Sequence, residues 1–334
     1  MKRLCIVSIL AVAAVLPALS QVGGSPFAGR WDLTVTAPDA KYPSWMEVTE
    51  KDGNLEARTQ PREGSVRSSA AKLDGARLIV TVSPATPERP ASDTRPAIPA
   101  RPALTWEMTA KGGTLTGVQK YGDVVQGQIA GARAPALKRA APKAWTTPQP
   151  LFNGKDLTGW VTMNNTQNPR ATVNHWVVKD GELVNEAQGH NIATTRKFGD
   201  FKLHVEFNFT ADANSGVYLR GRYEAQMPPP GSRRTGGGAR GSGGTLGYAI
   251  YGFVRATADA PADPGEWRTY DLTLVGRSVT LVVDGTTIVA DQEVAGITGG
   301  ALDSDEGAPG PIYFQGDHTG GIRYRNITIS EPQR

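Results

Sequence analysis

The sequence predicts an all-β protein with two domains. Asp-Gly or Gly-Gly pairs separate short apolar runs at five points: Asp52-Gly53, Asp74-Gly75, Gly112-Gly113, Asp180-Gly181 and Asp284-Gly285. Such pairs supply the positive φ angles that tight β-hairpins need. Glycine (39) and proline (24) are abundant among the 334 residues, and we find no amphipathic helical period longer than a turn or two.

The first twenty residues have the pattern of an export signal. The basic pair Lys2-Arg3 precedes an apolar run, Leu4–Leu16, and the small residues of Ala18-Leu19-Ser20 follow. We therefore expect a cleaved signal peptide over residues 1–20 and a periplasmic or extracellular protein. The single cysteine, Cys5, falls in this segment, so we expect no disulfide framework. The apolar run is short for a membrane span, and no later segment approaches 18 apolar residues.

A first domain is predicted over residues 26–132. Its short apolar-polar runs indicate a small antiparallel β-barrel. The expected strands are 31–37, 45–50, 54–59, 66–73, 77–82, 104–110, 114–119 and 124–129. Residues 84–103 are rich in proline and are expected to form a long loop within this domain. The domain contains no histidine and no clustered carboxylates, so we assign it a binding or spacer role without chemistry.

A proline- and alanine-rich linker, 133–149, leads to a second domain over residues 150–331. All four histidines of the chain fall in this second domain. Within it, residues 227–244 hold three consecutive prolines and then a Gly/Arg-rich stretch, 231–244. We expect this stretch to be a solvated loop.

The segment 216–227 is the most informative strand of the second domain. If it is one strand, its side chains alternate between two faces. One face is apolar, and the other carries Tyr218, Arg220, Arg222, Glu224 and Gln226. Arginine and glutamate close together can bind sugar hydroxyls and shift the pKa of the carboxyl group. The alternative is a solvated face with cross-strand ion pairs.

A second candidate site follows the strand near residue 312. Asp317-His318 stands in a polar, glycine-rich turn, where an imidazole beside a carboxylate can act as an acid, a base or a metal ligand. An ordinary surface turn is the alternative. His204, on another strand, could line the same surface, although a half-exposed strand position would explain it equally.

The second domain resembles the 3-keto-disaccharide hydrolase family. Its opening, Leu151-Phe152-Asn153-Gly154-Lys155-Asp156-Leu157-Thr158-Gly159-Trp160, resembles the start of that family's domain. Further similar motifs follow in the family's order through residues 150–331. They are Asp180-Gly181-Glu182-Leu183, Asn214-Ser215-Gly216-Val217-Tyr218-Leu219-Arg220, Tyr223-Glu224-Ala225-Gln226, Gly247-Tyr248-Ala249-Ile250-Tyr251-Gly252, Gly265-Glu266-Trp267 and Gly310-Pro311-Ile312-Tyr313-Phe314-Gln315, with His318 after them.

The resemblance implies a concanavalin A-like jelly-roll sandwich that acts on glycosides already oxidised at C3. A ketone at C3 acidifies the proton at C2, so a base can start elimination of the group at C1. The base would be Glu224 or His318, and the electrophile at the ketone oxygen would be Arg220 or a divalent metal. Glu224 and His318 are also the candidate ligands of such a metal, since carboxylate and imidazole both suit a divalent ion. We expect the substrate-binding residues to be Gln226, Gln315, Tyr218, Tyr251, Asn214 and Asp317.

Two other functions remain open from the sequence. The sandwich could be a carbohydrate-binding, lectin-like domain with Trp160, Trp176, Trp267 or Tyr251 as stacking platforms. It could also be an interaction module of the cell envelope that binds through the Gly/Arg loop 231–244. The formal net charge of +4 gives no reason to expect a nucleic-acid partner. The expected partner is an oxidised carbohydrate, and the sequence predicts no oligomeric state.

Overall fold

The computed structural model describes residues 24–62, 64–91, 96–163, 171–227, 249–258, 260 and 263–333. These residues form strands, turns and irregular segments, and no helix occurs among them. The described part of the chain accordingly has no helix with the length and hydropathy needed to cross a membrane. The expected signal peptide 1–20 and the Gly/Arg loop 231–244 lie outside the described residues.

Eight antiparallel strands close into a barrel in the first domain, in the order of the sequence. Each of the eight predicted strands is confirmed to within a few residues. The strands are β1 (Gly29–Thr36), β2 (Lys41–Lys51), β3 (Asn54–Gln60), β4 (Arg67–Asp74), β5 (Arg77–Ser83), β6 (Leu104–Lys111), β7 (Thr114–Tyr121) and β8 (Val124–Arg133).

Alternation along the strands fills the barrel. Trp31, Leu33 and Val35 of β1 are fully buried, and they pack in one core with residues of the other strands. Successive side chains of a strand point to opposite faces, so every second residue faces this core. The proline-rich segment between β5 and β6 leaves the barrel wall and pairs with itself at Thr86 and Arg101.

The second domain contains two antiparallel sheets. The six-stranded sheet has the order β10-β13-β21-β15-β16-β17, and the eight-stranded sheet has the order β11-β12-β22-β14-β18-β19-β20, with β9 paired to β22. The strands are β9 (Gln149–Pro150), β10 (Trp160–Met163), β11 (Trp176–Lys179), β12 (Glu182–Asn185), β13 (Asn191–Thr194), β14 (Phe201–Phe209), β15 (Gly216–Leu219), β16 (Tyr223–Gln226), β17 (Ala249–Ile250), β18 (Arg268–Val275), β19 (Ser278–Val283), β20 (Thr286–Glu293), β21 (Tyr313–Phe314) and β22 (Ile322–Ser330).

A single apolar core joins the two sheets into a sandwich. Val217 and Phe314 of the six-stranded sheet pack with Leu272 and Tyr324 of the eight-stranded sheet. The inner face of each sheet is apolar, so the six-stranded sheet can present polar residues only on its other face. The predicted β-sandwich is therefore confirmed.

The prediction of one strand over 216–227 is wrong, because the segment is a hairpin of β15 and β16. Its turn contains the three residues 220–222, and Arg220 and Gly221 have φ angles of 52° and 68°. Consecutive positive φ angles make the tight turns that join antiparallel strands. Arginine rarely adopts a positive φ, so the sequence carries no familiar turn signal here.

The barrel and the sandwich are packed together through an apolar cluster. Trp45 and Val66 of the barrel are buried against Ile297 and Ala301 of the sandwich. The ring of Trp45 also meets Phe253 edge to face, with ring centroids 5.3 Å apart. An ion pair of Arg30 with Glu293, the last residue of β20, adds to these apolar contacts between the two domains.

Candidate active site

The polar face of the six-stranded sheet carries a row of three side chains at one level. The strand register sets Tyr313 of β21 beside Tyr218 of β15, and Tyr218 beside Glu224 of β16. The two tyrosine rings stack with centroids 3.9 Å apart and an interplanar angle of 12°. Their hydroxyls donate hydrogen bonds to the carbonyls of Gly299 (2.7 Å) and Gly300 (2.5 Å). The rings are therefore fixed beside Glu224.

A glycine makes room for the Glu224 side chain. Gly216 is two residues from Tyr218 on the same face, and a Cβ added there would lie 2.5 Å from Oε1 and 2.7 Å from Cγ of Glu224. The carboxyl group therefore lies across the glycine. The backbone amide of Glu224 donates to Oγ1 of Thr298, which fixes the strand below the carboxyl group.

Glu224 is buried, with 3% of the residue exposed. Burial raises its pKa from 4.5 to about 7, and the nearby Asp317 adds to the rise. Interactions with Tyr218 and His318 oppose the rise. A carboxyl group with a pKa close to neutrality is suited to accept and release a proton at physiological pH.

Asp317 and His318 form a hydrogen-bonded pair in the loop after β21. Nδ1 of His318 lies 2.8 Å from Oδ1 of Asp317, whose carboxyl group is buried, whereas the His318 side chain is 45% exposed. The hydrogen bond with Asp317 is the main cause that raises the pKa of His318, and the negative charge of Glu224 adds to it. His318 and Glu224 are thus close enough to act on each other electrostatically.

The other predicted substrate-binding residues lie in β15 and β16 or next to the ends of β15, β17 and β21. Gln315 accompanies Tyr313 on the polar face, and its backbone N–H donates to the Gly216 carbonyl oxygen at 3.0 Å. The side chain of Gln226 donates to Oδ1 of Asn214 at 3.1 Å. Tyr251 joins from the edge, where its backbone amide donates to the Glu224 carbonyl oxygen at 3.0 Å. The structure therefore brings together Glu224, His318, Asp317, Tyr218, Gln226, Gln315, Asn214 and Tyr251.

Arg220 does not join them. It lies in the hairpin turn, where its side chain is buried and donates to the Gly276 carbonyl at 2.6 Å and to the Tyr223 hydroxyl at 3.2 Å. The even-numbered residues of β15 and β16 share a face because Tyr218 pairs with Glu224, but the turn takes Arg220 away from it. The expected contact of Arg220 with the ketone oxygen has no counterpart in this geometry.

The Tyr223 hydroxyl belongs instead to a buried charged cluster between the domains. It donates to Glu306 at 3.0 Å, and Glu306, fully buried, forms an ion pair with Arg277. Asp32 of the barrel faces the same cluster, and its pKa is raised mainly by burial and further by Glu306. Arg220 therefore has a structural role, because it donates to the same Tyr223 hydroxyl that donates to Glu306.

Sequence reasoning missed the contributions of Gly216, Tyr313 and Thr298. Gly216 and Tyr313 both lie in the motifs quoted above. Asking which residues of neighbouring strands face Glu224 would have identified them. Thr298 lies in a turn with no pattern of its own. Within the described residues, no group of three or more His, Cys, Asp and Glu side chains could hold a metal ion.

We expect that replacing Gly216 with alanine displaces the Glu224 carboxyl group and lowers activity by about 10²-fold, the effect of a misplacement of about 1 Å. The φ angle of Gly216 is not positive, so the methyl group acts through sterics alone. Steady-state kinetics measure the loss. Gly199→Ala is the matched control, because its Cβ would meet no atom within 4 Å. Full activity of Gly216→Ala would contradict the packing described here.

Comparison with known proteins agrees with the resemblance of the second domain. The model of the 3-keto-alpha-glucoside-1,2-lyase-like domain matches residues 147–330. No curated protein matches the chain. Among solved structures, two candidate glycosyl hydrolases from Parabacteroides distasonis are similar. One is 25% identical over 58% of this chain and 93% of its own, with a TM-score of 0.42. The other is 21% identical over 57% and 94%, with the same TM-score.

A more distant likeness is the GH16 endo-beta-1,3(4)-glucanase SCLam, 13% identical over 58% of this chain and 94% of its own, with a TM-score of 0.35. These TM-scores are low, so the family assignment rests on the domain match alone. That match covers more than half of the chain and contains every residue of the candidate site. The chain therefore belongs to the 3-keto-alpha-glucoside-1,2-lyase-like domain family.

Proposed function

We propose that this protein cleaves 3-keto-glycosides by abstraction of the C2 proton and elimination at C1. Family membership supports a glycoside-active enzyme. The finer proposal rests on one observation, the buried Glu224 carboxyl group with a pKa of about 7 beside the Asp317–His318 pair. One group is poised to lose its proton near neutrality and the other to hold one, which is the arrangement that acid–base catalysis needs.

In the first step, the Glu224 carboxylate takes the proton from C2. The electron pair of the C2–H bond forms a C2–C3 double bond, and the negative charge moves to the C3 oxygen. Glu224 is the base in this proposal, since it is buried on the sheet face that carries the predicted substrate-binding residues. A buried carboxylate is a stronger base than a solvated one.

In the second step, the enolate re-forms the C3 carbonyl, a C1–C2 double bond forms, and the C1–O bond breaks with its electron pair on the leaving oxygen. His318, held by Asp317 and accessible to solvent, donates the proton to that oxygen. Addition of water across C1–C2, with hydroxide at C1 and the proton at C2, gives hydrolysis overall. No covalent intermediate between sugar and protein is needed, so the paired carboxylates of ordinary glycosidases are unnecessary.

The direct test is incubation of the protein with a 3-keto-glucoside and with the matching plain glucoside while release of the aglycone is followed. We expect release from the keto substrate only. Release from both substrates would contradict the elimination mechanism, and release from neither, with sugar binding retained, would favour the lectin-like alternative.

The pH dependence of kcat/KM is expected to be bell-shaped. Activity rises with pH as Glu224 ionises, at a pKa of about 7, and falls at higher pH as His318 loses its proton. Asp317 raises the pKa of both groups. Asp317→Asn is therefore expected to move both limbs of the profile to lower pH.

The control for this profile is Asp271→Asn. Asp271 forms an equivalent pair with His204, at 2.7 Å, on β18 and β14 of the eight-stranded sheet. This variant should keep the wild-type profile. A profile of Asp317→Asn that stays in place or moves to higher pH would contradict the assigned roles.

A further inference from the structure

The barrel contacts the sandwich next to the candidate site. The contact involves the end of β3 and the residues just before β4, and we call Gln60, Gly64, Ser65 and Val66 the barrel edge. Ser65 and Val66 are each 4% exposed, although they precede a strand at the rim of the barrel. Segments of the sandwich cover them.

One of these segments is the turn 296–301. A Cβ added at Gly299 would lie 2.5 Å from the Gly64 carbonyl oxygen and 3.3 Å from Nε2 of Gln60. In the same turn, the carbonyl oxygens of Gly299 and Gly300 accept hydrogen bonds from the hydroxyls of Tyr218 and Tyr313. The turn 296–301 therefore contacts the barrel edge and also binds the hydroxyls of the two tyrosines.

The second segment contains Tyr251 and Gly252. A Cβ added at Gly252 would lie 3.0 Å from Cβ of Ser65, so the two backbones are in close approach. The pKa of the Tyr251 phenol is raised mainly by burial, and an interaction with the Ser65 side chain opposes this rise. Tyr251 lies next to Glu224, because its backbone amide donates to the Glu224 carbonyl oxygen at 3.0 Å. The charge of Glu224 adds to the rise in the pKa of the phenol. Tyr251 thus lies between the barrel edge and the candidate base.

We propose that Ser65 of the barrel is a positioning residue of the active site. Its hydroxyl forms a hydrogen bond with the Tyr251 phenol and holds that side chain where it contacts the 3-keto-glycoside bound at Glu224. This inference rests on the proposed function, and it gives the first domain a part in substrate recognition. Ser65 does not touch the reacting atoms. Its hydroxyl fixes the orientation of a phenol that would otherwise turn toward solvent.

The test is a double-mutant cycle with Ser65→Ala and Tyr251→Phe, measured as kcat and KM on the 3-keto-glucoside. Each single change removes one partner of the same hydrogen bond, so each should raise KM by about five-fold with kcat nearly unchanged. The double variant should resemble either single variant, because the bond can be lost only once. An unchanged KM in Ser65→Ala, or effects that multiply in the double variant, would overturn the proposal.

Ser69→Ala is the matched control. Ser69 is a buried serine two residues into β4, and its hydroxyl bonds to Thr59 within the barrel at 2.7 Å. This change removes a buried hydroxyl of the same domain without touching the sandwich. Its KM should equal that of the wild type, so an effect shared by both serine variants would overturn a specific role of Ser65.

A measurement without substrate separates this inference from the proposed function. In protein labelled with ¹³C at the ζ position of tyrosine, the Tyr251 resonance is the one missing from Tyr251→Phe. Ser65→Ala should shift that resonance, and Ser69→Ala should not. If the wild type releases no aglycone, the proposed function fails, while a shifted resonance still supports the Ser65–Tyr251 contact. A resonance unmoved by Ser65→Ala would overturn the contact, whatever the activity.

Discussion

Glu224→Gln should lose activity by about 10²- to 10⁴-fold, the usual contribution of a general base. The same variant should be more stable than the wild type at pH 8. The buried carboxyl group has a pKa of about 7 in the folded protein, against 4.5 for its ordinary value. At pH 8 both the folded and the unfolded chain carry the charge, and only the folded chain holds it in a buried place. Glutamine cannot ionise, so the variant avoids the free-energy cost of a buried charge.

The sign and size of this stability effect follow from the two pKa values. Between pH 4.5 and 7 the folded state keeps a proton that the unfolded state has lost, so the free energy of unfolding falls as pH rises. The pKa shift corresponds to a loss of about 3 kcal/mol in the free energy of unfolding at pH 8, and this loss disappears below pH 4.5. Urea unfolding at pH 4.5 and at pH 8 measures both limits.

Glu206→Gln is the control for this experiment. Glu206 bonds to Asn326 and Arg325, and these bonds lower its pKa despite partial burial. Its charge stabilises the fold above its unfolded pKa, so glutamine should bring no gain at pH 8 and should leave activity intact. A Glu224→Gln variant with normal activity, or with equal stability change at both pH values, would contradict the role assigned to Glu224.

Arg277→Leu is expected to destabilise the protein by about 3–5 kcal/mol, as for other buried ion pairs that lose one partner. Arg277 is 4% exposed, and its partner Glu306 is fully buried. Removal of the guanidinium leaves the Glu306 carboxylate beside Asp32 with less compensating charge. Denaturant unfolding followed by tryptophan fluorescence measures the loss.

Two further variants define this effect. Arg277→Leu combined with Glu306→Leu should recover most of the loss, because replacing both members of a buried pair with apolar residues is often nearly neutral. Arg196→Leu removes an exposed pair with Glu331 and should change stability by about 1 kcal/mol or less. A similar loss in Arg196→Leu and Arg277→Leu would show that burial of the pair is unimportant.

Local patterns predicted the barrel well because its strands are joined by recognisable turns. Asp52, Gly53 and Gly75 adopt positive φ angles, and Asp74 is the last residue of β4. These turns set the register of the strands on either side. The alternation of apolar and polar residues then assigns the core face. Nothing beyond the nearest neighbours in the chain is needed for either step.

The candidate site was predicted in part. Tyr218, Glu224 and Gln226 were expected on one face, and they share it even though the strand folds back, because the turn keeps even-numbered residues opposite one another. Arg220 was misplaced because its positive φ angle carries no signature in the sequence. The proposed bond of Ser65 with Tyr251 joins residues 186 positions apart in two domains, and only the assembled fold brings Ser65 against the segment that contains Tyr251 and Gly252.

One contact between the domains has a consequence for how this chain can change over time. A Cβ at Gly296 would lie 2.2 Å from Nε1 of Trp45, so the tryptophan occupies the space of a missing side chain. Any larger residue at 296 requires a smaller one at 45. We therefore expect a chimera that takes either domain from a relative to fold only if the residues at positions 45 and 296 fit each other.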